Sequence, residues 1–140
     1  MSLLIYDAVA EAQCDAATGS INDGASAGRL EIRVGSRPAI NGALTGTILA
    51  SFTLADPAFA ASVADGDNAV GTADAVSNVT AAASGTAGYG AVLDSDDVVK
   101  WTGTVGLSGS GADFILTTTS IVSGQDVGLN SWVFNQPQHA

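Results

Sequence analysis

Residues Arg29-Leu30-Glu31-Ile32-Arg33-Val34 alternate without a break. Leu30, Ile32 and Val34 take one side; Arg29, Glu31 and Arg33 take the other. A period of two is a β-strand with one buried and one wet face. The same texture continues outward. Gly35–Gly46, with Pro38 and Asn41-Gly42, predicts a loop. Thr47–Leu54 predicts the next strand, stopped by Asp56-Pro57. Ala58–Ala64 stays open between helix and extended chain, since Phe59 and Val63 also fit one helical turn. Asp65-Gly66-Asp67-Asn68 predicts a turn, and Ala69–Ala83 one or two strands built on Val70, Val76 and Val79. Tyr89–Leu93, Val98–Val105, Phe114–Thr119 and Val127–Asn135 complete the set, with Gly, Ser and Asp clusters between them. Upstream, only Leu3–Ala17 predicts a helix. Leu4, Ala8, Ala12, Cys14 and Ala16 recur near helical spacing, with Asp7, Glu11 and Asp15 on another face. These acids are four apart and repel mildly. Thr18-Gly19 ends the helix.

One short helix followed by about eight strands at hairpin spacing leaves no helices to cross a parallel sheet. The expected fold is mainly β: an antiparallel β-sandwich or jelly-roll-like single domain over 1–140. A helix or arm occupies 1–18 and the sandwich 29–136. The predicted core is Leu30, Ile32, Phe52, Leu54, Val92, Trp101, Phe114, Leu116, Trp132 and Phe134. No internal repeat suggests a solenoid or propeller.

The chain has 140 residues, one domain's worth, with 4 Lys plus Arg, 14 Asp plus Glu and a net charge of -10. Such a chain repels phosphate backbones and anionic bilayers, so neither nucleic acid nor membrane is expected as a partner. Charged residues are only 13% of the chain and mean hydropathy is +0.32, unlike a disordered acidic tail. With 25 Ala and 17 Gly, much of the apolar content is small side chains. Met1–Tyr6 lacks the basic start of a secretory signal, and no apolar run approaches membrane-spanning length. The single Cys14 suits a reducing compartment and reads as a small buried residue rather than a catalytic thiol.

Catalytic chemistry is hard to assemble from these residues. The one histidine is His139, next to the C-terminus, so a Ser-His-Asp triad has no well-placed base. One Cys cannot build a zinc cluster. Gly106–Gly111 lacks the Gly-Lys-Ser/Thr ending of a phosphate loop. No enzymatic activity and no cofactor are expected. Calcium is the one metal to weigh, at Asp65, Asp67, Asp94 and Asp96, but the spacing does not continue as an EF-hand and ordinary turn chemistry is preferred. Asn78-Val79-Thr80 has the form of a glycosylation sequon, read as a chance match.

Arg29, Arg33 and Arg37 fall within nine positions. They form either a docking patch for an acidic partner or cross-strand pairs with the chain's own acids, and pairing is slightly preferred. Trp101 and Trp132 either stack on sugar, as in a carbohydrate-binding module, or fill the core; burial is preferred because large side chains are few. Leu3, Leu4, Ile5 and Tyr6 form an apolar segment with no evident core role, and are candidates for partner contact.

Several short runs add a resemblance. The Ala-rich helix Leu4–Ala17 precedes Leu30-Glu31-Ile32-Arg33-Val34-Gly35 and a Pro-containing loop. Ile48-Leu49-Ala50 then leads to Leu54-Ala55-Asp56-Pro57-Ala58-Phe59. Ser84–Tyr89, Asp94-Ser95-Asp96, Gly103-Thr104-Val105-Gly106, Ile121 and Gly124-Gln125-Asp126-Val127 follow. In this order the runs resemble small tailed-bacteriophage virion proteins associated with capsid decoration. Cys14 has no counterpart in that pattern. The resemblance implies a non-enzymatic β-sandwich cement protein, made in the bacterial cytoplasm and assembled into the virion. It would bind the major capsid protein or other virion proteins, as a homotrimer at a local three-fold position. A tail, neck or fibre component is the close rival.

Overall fold

The structure, a computed structural model, describes residues 4–137. The chain opens with helix α1 (Asp7–Gly19) and one 3-10 turn (Ser20–Asn22). Twelve strands follow: β1 (Arg29–Arg33), β2 (Ile48–Thr53), β3 (Val63–Asp65), β4 (Asn68–Thr72), β5 (Val79–Thr80), β6 (Gly85–Thr86), β7 (Tyr89–Leu93), β8 (Val99–Gly106), β9 (Phe114–Leu116), β10 (Ser120–Ile121), β11 (Asp126–Val127) and β12 (Leu129–Pro137). The mainly-β class with one short N-terminal helix stands. The chain between Ala58 and Ala64 is extended: Phe59 bridges Ala73 and Val63 enters β3.

Eight strands form one sheet in the order β2-β1-β7-β8-β9-β12-β4-β3. All pairings in it are antiparallel except one. β8 and β9 run parallel over Val105↔Phe114 and Gly106↔Ile115, so the sheet is mixed rather than wholly antiparallel. The cause is the Gly/Ser loop between them, which doubles the chain back to re-enter in the same direction.

The alternation at Arg29–Val34 places the layers. Leu30 and Ile32 join Phe52, Val92, Phe114, Leu116 and Trp132 in one buried cluster. The short pairs β5/β11 and β6/β10 bring Val79, Ile121 and Val127 into the same cluster. They act as a second layer over the inner face, which gives a β-sandwich-like arrangement. Trp101 and Phe134 are only half-buried and pack against the cluster's edge.

Phe114 fills a notch in the sheet floor. A Cβ on Gly90 would lie 2.8 Å from its ring, and one on Gly103 would lie 2.7 Å away. Gly90 and Gly103 face each other across β7 and β8, so one aromatic ring occupies the space of two missing side chains.

Helix α1 packs on β4 and β12, and of the expected stripe only Cys14 is buried. Its buried residues are Ala10, Cys14 and Thr18, while Ala8, Ala12 and Ala16 are exposed. In so Ala-rich a helix every face is mildly apolar, and close fit decides. Opposite Cys14 and Thr18 stands Gly71, where a Cβ would sit 3.2 Å from the Cys14 sulfur.

Candidate interaction surfaces

The four basic side chains divide sharply. On β1, Arg29 Nε donates to Glu31 Oε1 at 2.9 Å, and Arg33 Nε and Nη2 donate to Glu31 Oε2 at 2.9 and 2.6 Å. The Glu31 side chain is only 4% exposed. Arg29 also reaches Asp97 at 2.6 Å, and Arg33 donates to the Gly46 carbonyl at 3.1 Å. The face expected to be wet is covered. The loop after β1 folds across it, with Leu44 packed against Tyr89, Ala91 and Leu93. The Tyr89 hydroxyl fastens that loop, donating to Thr45 O at 2.5 Å and accepting from Thr45 N at 3.0 Å. Arg29 and Arg33 are therefore paired with the chain's own acids.

Lys100 donates to Asp23 at 2.9 Å and lies 3.2 Å from Asp94. Asp94 is itself buried, and its Oδ1 accepts from the amides of Asp96 and Val98 at 2.9 and 3.0 Å. Burial alone would push the Asp94 carboxyl up, but the Val98 amide, Lys100 and the Asp96 amide outweigh it and hold it below the usual carboxylate range. Asp94 thus locks a turn between β7 and β8. Asp65 and Asp67 lie in the separate β3–β4 turn. No group of three or more His, Cys, Asp or Glu converges as a metal site among the described residues.

Arg37 differs from the other three. It is exposed and has no hydrogen-bond or ion-pair partner among the described residues. It lines an open cleft of 740 Å³ between Arg37–Gly42 and residues Val99–Thr102 of β8. Ile40 stands at the cleft's rim, 93% exposed, at the tip of a turn closed by Gly42 N–H to Ala39 O at 2.8 Å. Asn41 occupies the left-handed position of that turn, with φ +61°. Ile40 was not among the residues expected to matter. The signal was a large apolar residue between Pro38 and Asn41-Gly42, where turn chemistry forbids a core role.

At the N-terminus, Ile5 is half-buried against Ala10, Cys14 and Ala69. Its neighbours turn outward: Leu4 is 68% exposed and Tyr6 82%. Leu3 lies outside the described residues, as does His139. Cys14 is fully buried; burial raises its thiol pKa, partly offset by a hydrogen bond with Ser62, so the group is a packing residue.

Both tryptophans belong to one aromatic cluster. Trp101 stacks on Phe134 at 4.9 Å and meets Trp132 edge-on at 5.2 Å; Phe59 and Phe114 close on Trp132 at 4.7 and 5.0 Å. Trp132 is buried, while Trp101 is half-buried and lines a surface cleft.

Fold and surfaces together define a mixed-sheet, β-sandwich-like domain with exposed apolar side chains. Comparison with family models, curated proteins and solved structures finds no match to this chain.

Proposed function

We propose that the protein is a structural, non-enzymatic component of a tailed-bacteriophage virion, a decoration protein that binds the assembled head and cements it. The docking role is supported by one observation above all. Leu4 and Tyr6 stand exposed on either side of Ile5, which ties the segment to the fold. Covering such side chains on a partner contributes roughly 1.5–3 kcal/mol each. The virion setting is supported by the ordered runs from Leu30 to Val127. Repeated over a shell, or presented as a trimer, weak arms of this kind gain by multivalency.

Quantitative mass spectrometry of purified phage particles tests the setting. A copy number near that of the major capsid protein is the expected result. A handful of copies would move the protein to tail, neck or fibres. Absence from the particle ends the virion reading. The arm is tested separately with L4D/Y6D, which keeps the Ile5 anchor. The variant should fold as the parent does and lose attachment to heads. Undiminished attachment would remove the arm from the interface.

A further inference from the structure

The cleft beside Arg37 runs along an open strand edge. β8 pairs with β7 from Val99 to Thr104, yet β9 meets it only at Val105 and Gly106. The Asp113 carboxylate takes the Thr104 amide at 2.8 Å. From Val99 to Thr102, β8 has a ladder partner on one side only among the described residues, while Gly103 is buried against Asp113 and Phe114. The cleft's β8 wall is the four consecutive residues Val99, Lys100, Trp101 and Thr102, so it follows the strand rather than one face of it. An unpaired stretch of this kind is a template for an added strand.

The charge around it narrows what would fit. The chain carries 14 acids against 4 bases, and three of those bases are committed internally. Among the described residues Arg37 alone of the four bases stays unpaired, at the mouth of this cleft. Beside it Ile40 is 93% exposed and Val99 41%. Among the described residues of this acidic chain, the cleft is where a free guanidinium stands next to apolar area and a strand edge.

We propose that the Val99–Thr102 edge of β8 accepts an extended acidic segment of a partner protein by strand addition. A partner carboxylate pairs with Arg37, and an alternate apolar side chain rests on Ile40 and Val99. The inference extends the docking role proposed above by naming a second contact and its chemistry. It does not depend on the particle count, so the two can fail separately.

The test uses the full chain, 15N-labelled, and synthetic strand-forming peptides of about ten residues. One alternates Glu and Val, one alternates Lys and Val, and one is the Glu–Val peptide with N-methylated amides. The Glu–Val peptide should shift the amides of Arg37, Ala39–Gly42 and Val99–Thr102 and slow their hydrogen exchange. The other two should leave them unmoved. R37E should weaken Glu–Val binding about tenfold while the thermal midpoint stays put, since Arg37 holds nothing internally. No shift with Glu–Val, an equal response to Lys–Val, or unchanged binding by R37E would overturn the proposal. Concentration-dependent protection of the same amides without peptide, with dimers in sedimentation, would also overturn it, since a second copy would then be the occupant.

Discussion

Glu31 shows how one residue sets the cost of a fold. Its carboxylate is buried, yet each oxygen receives an arginine donor at 2.6–2.9 Å. Replacing the carboxylate by an amide removes the charge and turns an N–H2 donor toward one of the two guanidinium groups. E31Q should therefore lower stability by about 2 kcal/mol in denaturant titration, discounted because both arginines keep some solvent. R37A should change it by less than about 0.5 kcal/mol. Similar stabilities for the two variants would contradict the division drawn among the bases. Phe114 and its paired glycines give a second residue-scale expectation. G90A or G103A forces a methyl group into the ring and should cost about 1–3 kcal/mol, with part restored by adding F114L. Asp94 adds an acid-sensitive contribution. Its folded pKa lies below the unfolded one, so its stabilisation is complete above about pH 4 and is lost as pH falls through the folded value. The thermal midpoint should drop in that window, and D94N should flatten the drop. Lys100 is shifted upward, first by its hydrogen bond with Asp23, so its contribution is complete below the ordinary lysine value and fades only as pH rises past it.

At the scale of elements, α1 does more than pack. Asp15 Oδ1 accepts from the Ser62 amide at 2.8 Å, and Glu11 Oε1 from the Ala64 amide at 2.9 Å. These amides lie on the outer edge of β3, which ends the sheet. The acidic stripe that looked like a repelling solvent face is the cap of a strand edge, a device that blocks edge-to-edge association. In E11A/D15A the Ser62 and Ala64 amides should exchange faster, and stability should fall by about 1 kcal/mol per lost bond. Unchanged exchange at those two amides would leave the cap without a role. This explains why the helix's existence and end were legible but its face was not. An Ala-rich helix carries no strong apolar stripe, and its orientation follows from Gly71 and from backbone groups of a strand far along the chain. β1 was legible because period-two alternation is a local property. The burial of Glu31 was not, because it depends on a loop that folds over the strand from outside it.

Across the whole molecule, class and most of the core were readable, while sheet order was not. Leu30, Ile32, Phe52, Val92, Phe114 and Trp132 meet in one cluster as the alternation implied. The parallel β8/β9 step and the two-residue strands β5, β6, β10 and β11 leave no periodic trace, since too few residues take part. The same limit hid the Arg37 cleft, because an open strand edge is defined by where a neighbour stops.

The placement of the four bases has a consequence for proteolysis. Trypsin cuts after lysine and arginine, and a following proline blocks it. Arg29, Arg33 and Lys100 lie inside paired strands, and Arg37, the exposed one, is followed by Pro38. The exposed loop around Arg37 and Ile40 thus offers trypsin nothing to cut. Digestion has to wait for β1 or β8 to open, so its rate reports the opening of the sheet itself rather than loop motion. A single slow disappearance of the intact band, faster in E31Q and unchanged in R37A, is the expected pattern; early cleavage in the native state would mean that β1 or β8 frays on its own.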